Sequence, residues 1–284
     1  MIHIQFQKEN LIKSPLNYTG GKFKLLEQIL PLLPDKVDRF VDLFCGGCNV
    51  GINVQANKII CNDNMKPLVD MYKEFQKYTF DELLEYIQNK IKEYKLSKTN
   101  KEGYLEFREY YNKTKYPIDL YILTCYSFNY QIRFNSKLAF NMPYGSGQFS
   151  ENMKNNLQSF ISVIKNIKFS YSDFRKLPYN KLNKNDLVYC DPPYLISTAT
   201  YNENGGWTEQ EEKDLLNILD GLNKNNVKFA LSNVLVHKGS KNEILIDWSK
   251  QYNVHYLNAD YSNCNYHTRK NPNKESTEVL ITNY

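Results

Sequence analysis

The sequence predicts an α/β protein built around a nucleotide-cradling sheet, on three observations. Short apolar runs that end at an acid recur: Phe40-Val41-Asp42, Lys58–Asp63, and Leu187–Cys190 before Asp191. Each reads as a buried strand. Segments with apolar residues at helical spacing lie between and after them. A glycine turn, Cys45-Gly46-Gly47-Cys48-Asn49, follows the first strand, and Asp63 closes the second. Strand, glycine turn, helix, strand and acid is the order of a nucleotide-binding unit.

In chain order, a helix is expected over Phe23–Leu33, closed by Pro31 and Pro34. The strand Phe40–Phe44, the glycine turn, an amphipathic helix over Val50–Ala56 and the strand Lys58–Asp63 follow. Helices are expected at Met65–Lys77, Phe80–Tyr94 and Tyr104–Tyr111, where glycine and proline are scarce and charge is dense. This is the start of a helical insertion. It continues through an apolar helix near Asp119–Tyr130 and ends in a loop carrying Arg133-Phe134-Asn135 and Phe140–Gly145. The α/β pattern resumes with the helix Glu151–Ile164 and a strand from Lys168, followed by the acid Asp173 and the aromatic Phe174. The strand Asp186–Cys190, the helix Glu209–Leu222, the strand Val227–Ser232 and the pair Val254–Leu257 and Glu278–Thr282 complete it.

A length of 284 residues suits one large domain or one domain with an insertion, and 42% hydrophobic residues suffice for a sizeable core. No apolar run approaches a membrane span, and Met1–Gln5 lacks the pattern of a secretory signal, so a soluble cytoplasmic protein is expected. Four of the six cysteines sit in apolar or strand-like runs and read as reduced core thiols. Cys45 and Cys48 form a C-x-x-C pair with no second pair or nearby histidine, and His237, His255 and His267 are isolated, so no metal site is expected. The net charge is +5; residues 120–170 carry five basic side chains against one acid, interleaved with Tyr, Phe and Asn. That mixture suits phosphate contact and base stacking, or a solvated surface over an aromatic core. Lys238-Gly239-Ser240-Lys241 and Arg269-Lys270 read as mobile basic loops, and Trp207-Thr208-Glu209-Gln210 as a capped helix start at a pocket rim.

Asp191-Pro192-Pro193-Tyr194 carries the most chemistry. Proline has no ladder N–H, so the strand must stop there. What remains is a rigid loop with a carboxylate, unpaired carbonyls and a ring, a set that suits a planar amine on a flat heterocycle. An ordinary strand exit is the alternative. The turn after Phe44 lacks G-x-G-x-x-G spacing, which disfavours NAD. Two adjacent glycines still admit a ligand close to the backbone. Asp63 is placed to accept from ribose hydroxyls or to cap the next helix. Tyr18-Thr19-Gly20-Gly21-Lys22 opens a helix like an anion site but is not a P-loop; Lys22 is placed to meet a carboxylate on a small cofactor.

Together Tyr18–Lys22, Asp42–Gly47, Asp63, Asp173-Phe174 and Asp191–Tyr194 resemble, in order and over nearly the whole chain, the Dam-type DNA adenine-N6 methyltransferases. Phe128–Asn135 with Phe140–Gly145 is similar to the target-recognition segment of that family, and Thr277–Tyr284 to its usual ending. The resemblance implies a Rossmann-like methyltransferase sheet with helices on both faces, split as 1–68 and 146–284, and an inserted, mostly helical recognition domain over 69–145. It implies S-adenosyl-L-methionine as methyl donor, held by Tyr18, Gly20, Gly21, Lys22, Asp42, Phe44, Cys45, Gly46, Gly47, Asp63, Asp173, Phe174 and Asp191. It makes Asp191, Pro192, Pro193 and Tyr194 catalytic toward N6 of a flipped adenine in double-stranded DNA. Asn129, Arg133, Asn135, Lys137 and Tyr144 form the DNA-binding set, with Arg133 reading guanine or clamping phosphate. GATC is the first site implied. A separate restriction endonuclease partner and a monomer or weak dimer are expected. Cysteines at 45 and 48, and Tyr18 where tryptophan is frequent, depart from the family pattern. A methyltransferase acting on cytosine N4, RNA adenine or a protein amide, or a non-catalytic DNA-binding protein, are the rival readings.

Overall fold

The computed structural model describes residues 11–196, 206–258 and 276–284. Met1–Gln5, Cys264, His267 and the Arg269-Lys270 loop lie outside the described residues. Strands β1 (Arg39–Asp42), β2 (Lys58–Asp63), β3 (Lys168–Tyr171), β4 (Leu187–Cys190), β5 (Lys228–His237), β6 (Ser240–Lys241), β7 (Asn253–Leu257) and β8 (Ser276–Thr282) form one sheet. Its order is β3-β2-β1-β4-β5-β8-β7, with β6 hooked onto β5. The first five strands in that order are parallel, and β8 runs antiparallel to both β5 and β7. The chain leaves β1 toward β2 and later returns to β4 on its other side. A crevice therefore opens at the carboxyl ends of β1 and β4, where such sheets bind ligands.

Alternation along the strands sends side chains to two faces. Val41, Val188, Cys190, Phe229, Leu231, Val279 and Ile281 pack with helix α7 (Glu209–Lys224) and α8 (Glu243–Ser249). Phe40, Leu187, Tyr189, Ala230 and Leu280 face the short helix α1 (Leu26–Ile29) and its flanking turns. Between β2 and β3 run α2 (Lys66–Phe75), α3 (Phe80–Glu93), α4 (Lys101–Thr114), α5 (Pro117–Tyr126) and α6 (Glu151–Ile164). Their apolar faces share one core with Cys61 of β2 and Phe169 of β3. Residues 118–126 of α5 are buried all round; α2, α3 and α4 lean on that rod, and α6 packs on α3. Among the described residues, no helix is long and apolar enough to cross a membrane.

Four differences from the sequence expectations have local causes. No helix forms over Val50–Ala56. Gly51 N donates to Asp42 Oδ2 at 3.2 Å, and Asn53 Nδ2 donates to the carbonyls of Ile12 and Asn49 at 2.8 and 2.7 Å, so side chains capture the backbone groups a helix would use. The helix expected to Tyr130 ends at Tyr126, and Asn129 sits in a separate turn with φ 53°. Lys238-Gly239 is a two-residue hairpin turn between the paired residues His237 and Ser240, not a loose loop. Its φ values of 49° and 85° suit the twist of a hairpin. Helix α8, unforeseen, is started by Asn242, whose side chain accepts from Leu245 N.

Candidate active site

Parallel pairing brings three acids to one edge. Asp42 ends β1, Asp63 ends β2, and Asp191 follows the last residue of β4. The edge opens into a cavity of about 370 Å³, lined by Tyr18, Gly20, Gly21, Lys22, Asp42, Phe44, Cys45, Gly46, Gly47, Asp63, Asp173, Phe174 and the whole Asp191–Tyr194 tetrapeptide. That volume lies within the range of small-molecule sites. Every residue in the cofactor and catalytic sets meets there. Asn49, Val50, Asn64, Met65, Tyr189, Gly206, Trp207 and Glu211 also line it and were not singled out, apart from Trp207 at a rim. Alternation along the strands could have flagged Tyr189, but nothing local marks Asn64 or Met65.

Asp63 holds the glycine turn shut. Its Oδ2 accepts from Gly46 N at 3.0 Å and its Oδ1 from Met65 N at 2.9 Å. Both expected roles are thereby compatible: the carboxylate braces the start of α2, and each oxygen retains a second lone pair. Gly46 has φ +44°, and a Cβ there would lie 2.7 Å from the Tyr18 ring. Only glycine lets the two segments close on each other. Beneath the turn, Cys61 lies beside Cys45 and Cys48, but among the described residues no group of side chains is arranged to hold a metal ion. Burial raises the thiols of Cys45 and Cys48 and keeps them protonated.

Lys22 meets a carboxylate, and that carboxylate is Asp191. Lys22 Nζ stands 3.0 Å from Asp191 Oδ1, also donates to the carbonyl of Gly20 at 3.0 Å, and lies 5.1 Å from the Tyr194 ring centre. The Tyr194 hydroxyl donates to the same Asp191 oxygen at 3.0 Å. Burial pushes the Lys22 ammonium down, but Asp191, Tyr189 and Glu278 outweigh it and its pKa rises. Burial raises the Asp191 carboxyl, with Lys22 and Tyr194 opposing. A buried pair of this kind is fixed in place more than it is stabilising, and losing either partner leaves the other uncompensated. Asp42 is raised well above the usual carboxylate range by burial and then by Cys61 and Asp191. Its Oδ1 is buried with no hydrogen-bond partner.

The residues expected to bind DNA lie beside this cavity or near it in sequence. Arg133 shares a small cavity of about 50 Å³ with Asn17, Tyr18, Thr19 and Tyr130, directly beside the larger one. Its Nε donates to Asn141 Oδ1 at 3.0 Å and its Nη2 to the Asn141 carbonyl at 3.2 Å. The carbonyl of Asn129 accepts from Asn17 at 3.5 Å. Asn135 Oδ1 accepts from Lys137 N and Ala139 N, so it shapes the loop on which exposed Lys137 stands. Tyr144 is anchored inward, its hydroxyl donating to Ser97 O at 2.8 Å and its ring packed on Tyr104.

Acids, glycines and aromatic rings around one crevice of a mostly parallel sheet are consistent with an α/β methyltransferase fold. The family model for D12 class N6 adenine-specific DNA methyltransferases matches residues 18–263, and the chain belongs to that family. It is 54% identical over 281 residues to the type II methyltransferase M.FokI of Planomicrobium okeanokoites, and 46% identical over 283 residues to the modification methylase StsI of Streptococcus sanguinis. Each match covers 96% of this chain and 43% of the relative, so the chain spans less than half the length of these two proteins. The DNA adenine methylase of Escherichia coli (strain K12) is 29% identical over 230 residues, 77% of this chain and 79% of that protein.

Proposed function

We propose that this chain transfers a methyl group from S-adenosyl-L-methionine to N6 of an adenine flipped out of duplex DNA. The observation that carries the reading is the convergence of the Asp191–Tyr194 loop, the glycine turn and the strand-end acids on one cavity. The cavity fits the donor chemically. The unpartnered Oδ1 of Asp42 suits an ammonium, Asp63 suits ribose hydroxyls, and the rings of Phe44 and Phe174, 5.4 Å apart, suit an adenine face. When bound, S-adenosyl-L-methionine supplies an electrophilic methyl on a positively charged sulfur.

The chain's own contribution is placement. Adenine N6 is a weak nucleophile because its lone pair is delocalised into the ring. Asp191 and the Pro192 carbonyl accept its two N–H bonds and turn the lone pair outward, which favours an in-line approach. Lys22 opposes the rise that burial causes in the Asp191 carboxyl and so favours the form that accepts. Tyr194 stacks on the extruded base and recovers part of the flipping cost, about a few kcal/mol. The proton leaves N6 after transfer, so Asp191 acts as an acceptor and need not be a strong base.

Residues 69–145 act as the target-recognition unit in this reading, and Arg133 reads a guanine edge. A separate restriction endonuclease is the implied partner, and a monomer or weak dimer the acting form. GATC is the site implied by the Asn129–Arg133 segment, but the higher identities to M.FokI and StsI make those two proteins the better guides to specificity. The test is methyl transfer to a mixed-sequence duplex followed by sequencing for the modified base. N6-methyladenine at one recurring sequence is the expected result. Modified cytosine, or methylation of RNA alone, would favour the rival substrates.

A further inference from the structure

The cavity has a third aromatic wall whose support lies behind it. The Trp207 ring centre is 5.6 Å from that of Phe44 and 5.5 Å from that of Phe174. Its indole Nε1 donates to Glu212 Oε2 at 2.6 Å. Glu212 is fully buried. A carboxylate there is costly unless donors meet it. Its other oxygen accepts from Asn242 Nδ2 at 2.8 Å and Asn233 Nδ2 at 3.3 Å. Neither amide is free to turn round. Asn242 Oδ1 accepts from Leu245 N at 3.1 Å, and Asn233 Oδ1 accepts from Val234 N at 2.7 Å. Three oriented donors, from the entry to α7, from β5 and from the cap of α8, thus converge on one side chain.

Helix α7 does not need this carboxylate. Thr208 and Glu211 form a complete capping box at its start, and Leu215, Leu216, Leu219 and Leu222 bury its apolar face. An apolar side chain would hold the helix as well as a buried charge does. What the carboxylate sets is the angle of the indole. We propose that Glu212 is a positioning residue that fixes Trp207 as the third wall of the pocket for the cofactor's adenine. This rests on the S-adenosyl-L-methionine reading of the cavity. A ring held in place before the ligand arrives spares the ordering cost of binding.

The chain has two tryptophans. Trp248 packs on Phe229 and Tyr252 and does not line the cavity. Its partner Asp220 keeps a donor in the Tyr252 hydroxyl, so Trp248→Phe leaves that carboxylate satisfied. In this background emission reports Trp207 alone. S-adenosylhomocysteine is titrated while emission and, separately, heat are followed. The expected result is a change in Trp207 emission on binding. Adding Glu212→Gln turns an N–H toward either the indole or the two asparagines, and raises Kd about tenfold while shifting the unliganded emission. Calorimetric binding with unaltered Trp207 emission, or a Kd within about twofold after Glu212→Gln, overturns the proposal. Should Glu212→Gln not fold, Trp207→Phe carries the test, because it keeps a ring and lacks the N–H. A Kd rise of about fivefold or more supports the proposal, and one below about twofold overturns it. Failure of the cofactor reading is visible separately: the unsubstituted chain then binds no S-adenosylhomocysteine, and both fall.

Discussion

At the scale of single residues, the site depends on a few side chains that close the space between strand ends. Gly46 is the tightest of these points, with its left-handed backbone and the Tyr18 ring where a Cβ would go. Gly46→Ala is expected to cost about 1–2 kcal/mol of stability through the backbone alone, and to weaken S-adenosylhomocysteine binding about tenfold by pushing Tyr18 aside. Thermal melts and calorimetry check both. The strand-end acids and the glycine turn were legible in the sequence because each depends on a local pattern, an acid or a glycine at the end of an apolar run. The Lys22–Asp191 contact was not, because 169 positions separate its partners and only the pairing of β1 with β4 brings their segments together. Glu212 was hidden for a related reason: inside a charged helix start it reads as a solvated acid, and only the folded chain shows it buried against three donors.

At the scale of elements, α5 is the rod on which α2, α3 and α4 rest, and it carries a buried acid. Asp119 Oδ1 accepts from the Tyr86 hydroxyl at 2.8 Å, while Oδ2 has no hydrogen-bond partner. Burial pushes its carboxyl from 3.8 up to about 6, against the Tyr86 bond and Lys90. A folded-state pKa above the unfolded one gives stability that is complete below the unfolded value and is lost as pH rises through the folded one. Stability from this group is therefore present near pH 4 and fades through pH 6. Between pH 5 and 8 the wild-type chain is expected to lose on the order of 1 kcal/mol relative to Asp119→Asn. Denaturant melts of both proteins at the two pH values measure it; parallel curves would contradict it. Helices with a cap and a clean apolar stripe, such as α6 after Ser150 and α7 after Thr208, were legible to within two residues at either end. The absent helix over Val50–Ala56 was not, since Asn49 and Asn53 spend their side chains on the segment holding Ile12 and Ser14.

At the scale of the whole molecule, the claim is that one crevice brings a methyl donor and an extruded adenine together, with the neighbouring surface choosing the sequence. Arg133→Ala is expected to lower discrimination at one base pair of the site about ten- to hundredfold, given about 1–3 kcal/mol for a bidentate pair. A uniform loss of affinity across single-pair variants would make Arg133 a phosphate contact instead. The sheet order was legible only as a class. Antiparallel β8 between β5 and β7 depends on tertiary pairing that no local pattern encodes. The most direct measurement compares the wild-type chain with Asp191→Ala, using labelled S-adenosyl-L-methionine and duplex DNA, alongside S-adenosylhomocysteine binding. The account predicts label in N6-methyladenine for the wild type, a loss of at least about a hundredfold for the variant, and a much smaller loss of cofactor-product affinity. Equal turnover by the two proteins would contradict it.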